Sequence, residues 1–334
     1  MKKLIAFFAF ISTLTFFYSC KETKKVYQFN LSIAETTKIA SKTNKDFCIV
    51  LIKDSIQIVK YKHAIKNNGL DQFYIFNFID IDIPANNWYQ YLIGSIQTPF
   101  TLVFKDKKCR NIVFGISKYA IQSIKNTKDD ITQNDNFGFL ENSIFHLSSN
   151  ACALIQQVLE YTSDSLYNQN ILNSSLTQFT YPYNLFLKFQ YHHLAHVKDS
   201  IDYYCFKLLS EFQNPEYNYI YNKLFEKVKK LNNLTNPLSF KTDQVHYSCK
   251  KDSTINLYVT VRNDTSIPLK ITRVESSCEC LTINYPAHII EPNTSKVYNS
   301  SFSSNETGTH YREIFFYSDA EVPINIIGFN ITVE

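Results

Sequence analysis

The sequence predicts a multidomain protein in which an α/β domain is followed by a helical connector and then by an all-β sandwich. Three observations support this class. In residues 31–126 apolar strand-like runs alternate with helix-like segments, the order typical of an α/β layout. In residues 127–236 apolar residues recur at helical spacing, whereas residues 237–334 contain short strand patterns separated by regular turn signals.

Length and composition limit what these domains can do. A chain of 334 residues is long enough for about two or three domains, and an apolar fraction of 45% is too high for a disordered chain. Six glycines leave no Gly-rich phosphate loop, so nucleotide-binding folds are disfavoured and no cofactor is predicted. The net charge is +4, from 34 basic and 30 acidic residues, without a long basic block, so no nucleic-acid partner is predicted.

The N-terminus has the pattern of an export signal. Two lysines precede an apolar run over residues 4–17, which is shorter than the ~20 residues of a bilayer span. The run ends at a small residue before Cys20 and resembles a bacterial lipoprotein cleavage site. That resemblance implies a signal peptide over residues 1–19, lipidation of Cys20 and a polar tether over residues 20–30. The alternative is an ordinary signal peptide with an incidental cysteine.

Lipidation of Cys20 would place the protein in the bacterial cell envelope. Its acyl chains would hold it on a membrane, because each buried CH₂ contributes ~0.8 kcal/mol. The expected location is therefore that of a membrane-anchored lipoprotein facing the periplasm or the cell surface.

Residues 31–126 predict the order βαβαββα after a leading helix. The predicted helices are 34–45, 55–67, 86–92 and 117–125, and the predicted strands are 47–52, 73–79, 100–104 and 111–114. Asn68 and Gly69 are a signal for the end of the second helix, and residues 105–108 are predicted to form a hairpin turn.

Thr98 and Pro99 stand directly before one of these strands, and Gly115 follows sixteen residues after the proline. Together with the order of elements, this interval resembles the thioredoxin-like fold, in which that proline is cis. Redox-active thioredoxins carry Cys-x-x-Cys where the first strand meets its helix, and residues 54–58 of this chain contain no cysteine. Because disulfide exchange needs an attacking thiolate and a second thiol, this domain is predicted to be redox-inactive.

The resemblance leaves one candidate binding site in this domain. In related domains the groove beside the proline lies against an extended polypeptide, so Thr98 and Pro99 are the candidate peptide groove. The alternative is a fold that serves only as a scaffold.

Residues 127–236 are predicted to be a linker followed by helices. Residues 126–136 are polar, and apolar spacing indicates helices at 154–166, 183–197, 200–212 and 217–231, with a polar break over 168–180. The spacing from Leu187 to Pro215 resembles one degenerate tetratricopeptide-type helical hairpin. A single such repeat cannot bury its own face, so the last helix is expected to pack against it.

Two histidines of this region, His192 and His196, are four residues apart and are predicted to share one face of a helix. That spacing is compatible with zinc ligation. The metalloprotease motif requires glutamate after the first histidine, and this chain has His193. The ordinary interpretation is a pair of packed or hydrogen-bonded helix histidines, and no metal is predicted. A metal-dependent hydrolase is kept as a hypothesis that stoichiometric zinc in the purified protein would support.

Residues 237–334 predict a β-sandwich of about 100 residues. The predicted strands are 240–247, 255–262, 269–276, 281–285, 287–290, 296–302, 311–318 and 324–333. The order of residues from Asn263 to Gly328, with Ser277-Cys278-Glu279-Cys280 near its centre, resembles a bacterial domain family of uncharacterised function. That family has an immunoglobulin-like fold and an SCGC signature, and it is common on bacterial lipoproteins. The resemblance implies a fold and a habitat but no ligand.

Cys278 and Cys280 leave three interpretations open. A Cys-x-Cys disulfide forms a small, strained and therefore labile ring. As metal ligands, the two thiolates would need further residues such as His246, His288 or His310. As structural residues, they would end a strand with one side chain buried. Glu279 replaces the glycine of the family, and its negative charge disfavours a thiolate. The other cysteines after Cys20 are scattered, and most are interpreted as buried apolar residues.

The sequence as a whole predicts a lipid-anchored envelope protein that acts as a non-enzymatic protein-binding or scaffolding module. Its expected partners are the membrane, through the anchor, and an unidentified protein or peptide. The alternative is an envelope thiol–disulfide oxidoreductase using Cys278 and Cys280, which predicts that both thiols are exposed and exchange with small disulfides.

Overall fold

A computed structural model of the protein describes residues 26–95, 98–129, 151–163, 168–285 and 288–334. The chain divides into two compact units, residues 1–171 and residues 172–334. The predicted signal peptide, Cys20, the start of the tether, linker positions 130–136 and the predicted turn at Pro286 lie outside the described residues. Within the described ranges, no helix is both long enough and apolar enough to cross a membrane.

The first unit is built on a mixed β-sheet flanked by helices. Its strands are β1 (Tyr27–Phe29), β2 (Asp46–Ile52), β3 (Tyr74–Asp80), β4 (Phe100–Lys105) and β5 (Lys108–Phe114). They lie in the order β1-β3-β2-β4-β5, with β1 and β2 parallel to β3, and with β4 antiparallel to both β2 and β5. The helices are α1 (Ile33–Thr43), α2 (Ser55–Asn67), α3 (Trp88–Ile93), α4 (Lys118–Lys128) and α5 (Ala151–Ser163). Short 3₁₀ turns lie at Leu70–Gln72 and Pro84–Asn86.

Local signals explain why α2 begins and ends where the sequence predicts. The Asp54 side chain accepts a hydrogen bond from the Gln57 backbone N–H at 2.7 Å and so caps the first turn. At the other end, the backbone N–H of Asn68 bonds back to the last helical carbonyls. Tyr61 and Ile65 of α2 pack with the sheet and α4 in the core of the unit.

Strand β1 lies within residues 20–30, which the sequence predicts to be a polar tether, so that prediction is wrong for Tyr27–Phe29. Tyr27 and Phe29 lie in a strand paired with β3, and both rings contact Phe78, with ring centroids 6.2 and 5.7 Å away. Three residues are too few to show a two-residue period, so this strand forms through backbone pairing and ring contacts that the sequence pattern does not reveal.

Helices continue from residue 169 and lead into the second unit. They are α6 (Gln169–Gln178), α7 (Pro182–Leu194), α8 (Lys198–Lys207) and α9 (Pro215–Leu231), with a π-helical turn at Leu208–Phe212. The predicted polar break over 168–180 is therefore wrong, because α6 occupies it. Leu172 and Ser175 are buried, and the Asn173 amide oxygen accepts a hydrogen bond from Lys188 Nζ at 2.8 Å. Tertiary contacts of polar side chains stabilise this helix where apolar spacing is weak.

The rest of the second unit is a β-sandwich. Its strands are β6 (Leu238–Thr242), β7 (Tyr247–Cys249), β8 (Thr254–Asn263), β9 (Leu269–Ser276), β10 (Leu281–Asn284), β11 (Ile289–Ile290), β12 (Ser295–Ser303), β13 (Gly308–Ser318) and β14 (Ile324–Val333). One sheet has the order β10-β12-β8-β6 and the other β11-β9-β13-β14-β7. The two sheets enclose one apolar core, to which alternate residues of β8 and β13 contribute.

One predicted strand of the sandwich is divided. Residues 240–247 were predicted as a single strand, but β6 and β7 belong to different sheets. The Asp243 carboxylate accepts hydrogen bonds from the Tyr247 hydroxyl at 2.5 Å and from the Tyr258 N–H at 3.3 Å. These bonds hold the chain at the point where it passes from one sheet to the other.

Candidate functional sites

The Cys278–Cys280 loop joins the two sheets of the sandwich, between the end of β9 and the start of β10. Ser277 and Glu313 of β13 exchange two hydrogen bonds, from Ser277 N–H to the Glu313 carbonyl and from Glu313 N–H to Ser277 Oγ, both at 2.9 Å. The Cys280 carbonyl accepts a hydrogen bond from the Ser303 N–H at 3.0 Å, which fastens the loop to β12. Strands of both sheets therefore fix the loop.

The two cysteines of this loop form a disulfide bond. Cys278 and Cys280 are both half-buried, and they pack at the edge of the sandwich core. The metal-ligand interpretation does not fit this oxidised state, because bonded sulfurs are not thiolates. His288 is engaged elsewhere, since its Nε2 and the Tyr298 hydroxyl share a hydrogen bond of 3.0 Å.

The guanidinium group of Arg312 contacts the sulfur of Cys280. Its Nε lies 3.1 Å from Cys280 Sγ, its Nη1 donates to the Tyr311 carbonyl at 2.9 Å, and its Nη2 donates to His310 Nδ1 at 3.2 Å. His310 Nε2 in turn donates to the Glu306 carbonyl at 2.9 Å. This chain of bonds assigns the proton of a neutral His310 to Nε2 and holds the guanidinium beside the sulfur.

Arg312 changes the electrostatic expectation for this pair. Glu279 was expected to disfavour a thiolate, but a permanently charged guanidinium in contact with Cys280 favours one. Sequence reasoning missed Arg312 because it lies 32 positions from Cys280. The only sequence signal is its place in a strand whose neighbouring residues pair with β9, which precedes the cysteines.

A cleft of about 790 Å³ opens beside the same loop. Apolar residues of β9 and β10 line it, together with the start of α9. Its charged residues are Glu216, Glu275, Glu279 and Arg273. Arg273 Nη1 pairs with Glu275 Oε1 at 3.2 Å, so the two remaining carboxylates give the cleft a negative character.

Thr98 and Pro99, the predicted peptide groove, belong to the first unit, and the peptide bond between them is cis, as the resemblance implied. Gln57 Nε2 donates a hydrogen bond to Thr98 Oγ1 at 3.2 Å, which ties the start of α2 to this segment. In the part of the chain that the structure describes, the backbone N–H and C=O of Thr98 have no hydrogen-bond partner. Ile56 and Val59, on the first turns of α2, are 63% and 68% exposed. Thr98 therefore contacts α2 through Gln57, and that end of α2 also carries two exposed apolar side chains.

The histidine pair does not have the predicted geometry. Helix α7 ends at Leu194, and His196 follows it in the left-handed backbone region with φ of 55°. His192 and His196 therefore do not share a helix face, and that prediction is wrong. The His192 ring stacks on Tyr204 with centroids 5.3 Å apart, and burial, together with the nearby Lys188 charge, lowers the pKa of His192.

The other cysteines within the described residues are mostly buried, as the sequence predicted: Cys48, Cys109, Cys205 and Cys249 are buried and Cys152 is half-buried. Cys109 and Cys152 share a hydrogen bond that the sequence does not reveal. This bond is the main reason why the pKa of the Cys109 thiol is raised, and burial raises it further. The same bond lowers the pKa of Cys152. The sequence gives no signal for this contact because the two residues lie on different elements, β5 and α5.

The fold shows a mixed α/β multidomain protein whose C-terminal domain is a β-sandwich that contains the cysteine loop. The family model described as "Protein of unknown function (DUF1573)" matches residues 238–333. This part of the chain is therefore a DUF1573 domain, and the match begins and ends with the sandwich strands. No curated protein matches the sequence.

Several solved structures are similar to part of the chain. A protein of unknown function from Porphyromonas gingivalis W83 has 14% identity and a TM-score of 0.24, over 28% of this chain and 46% of that one. The ASH/PapD-like domain 7 of human CEP192 has 7% identity and a TM-score of 0.24, over 29% and 84%. WR4, an MSP family member from C. elegans, has 8% identity and a TM-score of 0.24, over 30% and 100%. Such low TM-scores support no inference about function.

Proposed function

We propose that the protein is a lipid-anchored polypeptide-binding protein of the bacterial cell envelope, and that the groove at Thr98 and Pro99 binds an extended peptide segment. The observation that carries this proposal is the backbone of Thr98, which has no hydrogen-bond partner among the described residues, in a segment that contacts the end of α2 where Ile56 and Val59 are exposed. Unpaired N–H and C=O groups at a strand end offer hydrogen bonds to another extended chain.

The thioredoxin-like assignment supports the same site. It is favoured by the strand order β1-β3-β2-β4-β5, by the β4–β5 hairpin, and by Pro99 at the start of β4. The start of α2, where redox-active relatives carry their thiols, has Gln57 in contact with Thr98 instead. A groove of this kind keeps peptide-binding geometry without an attacking thiol.

The other modules have supporting roles in this proposal. Helices α7 and α8 follow each other and are proposed as the degenerate tetratricopeptide-type hairpin, with α9 packed beside α7. The DUF1573 domain is proposed to be immunoglobulin-like, which its two packed sheets support. Cys20 is the proposed site of the lipid anchor, and labelling with a radioactive fatty acid should disappear in Cys20→Ala.

Backbone pairing at Thr98 has a specific test. Fluorescent peptides of about ten residues, with alternating apolar and polar side chains, are screened for binding by anisotropy. Peptides that bind are then remade with N-methyl groups on alternate amides, in two registers. One register should lose binding because its N-methyl groups remove the donors that face Thr98, whereas the other should retain it. Equal binding in both registers would exclude backbone pairing.

A side-chain variant tests the apolar part of the groove. Ile56→Asp should weaken binding roughly tenfold or more, since burying an apolar side chain contributes ~1.5–3 kcal/mol. The matched control is Tyr119→Asp on α4, where the tyrosine is 78% exposed. The proposal predicts no change in the control, and equal losses in both variants would argue against a specific groove.

We propose thiol–disulfide exchange at Cys278 and Cys280 as a second function. The specific observation that favours it is the contact between Arg312 and the half-buried Cys280 sulfur. Titration of the purified protein against reduced and oxidised glutathione should convert this disulfide reversibly into two thiols. A pair that stays unchanged across the whole glutathione range would rule the function out.

A further inference from the structure

We propose that exchange at this disulfide is asymmetric: an incoming thiolate attacks Cys278, and the Cys280 sulfur leaves as a thiolate held by Arg312. This asymmetry, which rests on the exchange function proposed above, assigns the attacked sulfur, the leaving group and the class of partner. It makes Arg312 a catalytic residue, because its guanidinium touches a reacting atom.

The leaving group is decided by the environment of the two sulfurs. Breaking a disulfide places the electron pair of the S–S bond on one sulfur, and the thiol with the lower pKa leaves faster. Cys280 Sγ lies 3.1 Å from Arg312 Nε, and the guanidinium is charged at every accessible pH. Among the described residues no hydrogen bond reaches the Cys278 sulfur. Negative charge is therefore stabilised at Cys280 and not at Cys278.

The position of Arg312 is itself fixed by its neighbours. The Tyr311 carbonyl and His310 Nδ1 accept its Nη1 and Nη2 donors, which leaves Nε directed at the sulfur. His310 is 9% exposed and is held by its own bond to the Glu306 carbonyl. His310 is thus a positioning residue, and the guanidinium needs little rearrangement when charge develops on the sulfur.

The chemical steps balance without an added oxidant. A substrate thiolate attacks Cys278 Sγ, a new S–S bond joins the substrate to Cys278, and the electron pair of the broken bond goes to Cys280. A second substrate thiolate then attacks the substrate sulfur of this mixed disulfide and releases Cys278 as a thiolate. Two substrate thiols are oxidised to one disulfide, and the Cys278–Cys280 disulfide is reduced to two thiols.

The charge around the loop selects the class of thiol. Glu279 lies between the two cysteines and lines the cleft together with Glu216, and both carboxylates repel a negatively charged partner. Apolar residues of β9 and β10 line the same cleft, including Val274 and Leu281. The substrate assigned to this site is therefore a cysteine in a polypeptide segment whose neighbouring residues are basic.

The attacked sulfur is identified by trapping the mixed disulfide. The oxidised protein is mixed with glutathione, quenched with acid, alkylated with N-ethylmaleimide and digested for tandem mass spectrometry. Fragmentation on either side of Glu279 shows which cysteine carries each group. Glutathione is expected on Cys278 and the maleimide on Cys280, in roughly tenfold excess over the reverse arrangement. A reversed or equal distribution would overturn the proposal.

Variants test whether Arg312 causes the asymmetry. Arg312→Gln should slow glutathione attack roughly tenfold and make the two adducts equal, whereas Arg312→Lys should retain part of the preference because it keeps the charge. The matched control is Arg262→Gln, which removes an exposed arginine of β8 that pairs with Asp264 at 3.1 Å. His310→Ala should give an intermediate adduct ratio, because the guanidinium keeps its charge but loses one of its acceptors.

The partner class has its own measurement. A peptide containing Lys-Cys-Lys should react faster than one containing Glu-Cys-Glu at low salt, and the difference should shrink at high salt and in Glu279→Gln. Equal rates for the two peptides would remove the basic partner from the proposal. If neither cysteine forms an adduct with glutathione, the exchange function itself fails. If both form adducts equally, exchange stands and only the asymmetry is wrong.

Discussion

Reducing the Cys278–Cys280 disulfide should cost the protein little stability. The sequence separation is two, so the bond closes a loop of about three residues. The chain-entropy relation for a disulfide then gives a stabilisation of about 1.6 kcal/mol at 25 °C, compared with about 3 kcal/mol for a loop of about fifteen residues. The apolar core between the two sheets contributes much more to stability than the disulfide, because each of its fully buried side chains contributes roughly 1.5–3 kcal/mol.

The assay compares urea unfolding of oxidised and dithiothreitol-reduced protein. Far-UV circular dichroism follows the helices and strands of both units, whereas the only tryptophan, Trp88, lies in the first unit and its fluorescence reports on that unit. A transition seen by circular dichroism but not by Trp88 fluorescence therefore belongs to the second unit. A loss of about 1.6 kcal/mol corresponds to a midpoint shift of roughly 0.5–1.6 M urea for an m-value of about 1–3 kcal/mol/M. The double variant Cys278→Ala/Cys280→Ala serves as a control that cannot reoxidise.

The size of the loss separates a structural disulfide from a reactive one. A loss above about 3 kcal/mol, or unfolding of the sandwich on reduction, would refute the reasoning and make the disulfide a structural cross-link. A loss near the calculated value leaves the sandwich folded in both oxidation states. Both states must stay folded for the pair to exchange electrons repeatedly.

Three further predictions concern side chains that hold the sandwich and its helices. Asn263→Ala should destabilise the second unit by about 3 kcal/mol in a denaturation assay, because the buried Asn263 amide makes hydrogen bonds at 2.7, 2.8 and 2.9 Å to backbone groups of three other residues. The control is Asn284→Ala, at an exposed position, which should change stability by less than about 0.5 kcal/mol in the same assay. Burial lowers the pKa of Lys229 below 10.5, so this lysine binds more protons in the unfolded chain, and its contribution to stability should fall as pH drops from 10.5 through the folded pKa. Buried tyrosines with raised pKa values act equally in both proteins, so the Lys229 slope should appear as the pH-dependent difference between denaturation of the wild type and of Lys229→Met. Gly328→Ala should lower the free energy of unfolding by less than about 1 kcal/mol, because the new Cβ would meet the ring of Tyr311, which is exposed and able to turn away. A larger loss of stability in thermal unfolding would show that this ring is fixed.

Much of the fold could be predicted because its signals are local. Helix α2 has its predicted bounds because Asp54 caps one end and Asn68 the other. The long strands β8 and β14 were found because one face is buried and the other is exposed, which gives a two-residue period. Elements stabilised mainly by distant partners were missed. Strand β1 depends on β3, and α6 is stabilised by contacts such as the one between Asn173 and Lys188.

The candidate sites show the same division. Thr98 and Pro99 could be chosen from the sequence because an X-Pro step before a strand is a local feature. The two cysteines could be chosen because only one residue separates them. The chemistry of the cysteines could not be predicted, since it depends on a residue from another strand. Glu279 alone suggests an unreactive pair, but Arg312 approaches Cys280 only because Ser277 and Glu313 pair the loop with β13.

The register of β13 therefore links the fold to the proposed chemistry. Glu313 pairs with Ser277, and the preceding residue, Arg312, is carried to the sulfur by that pairing. Shifting β13 by one residue would turn Arg312 to the opposite face of the strand and remove the cation from the disulfide, while leaving the cysteines bonded. The disulfide by itself does not define a reactive site. The proposed reactivity rests on the combination of a short Cys-x-Cys loop with a strand register that fixes a guanidinium at one sulfur, so that the two sulfurs have unequal surroundings.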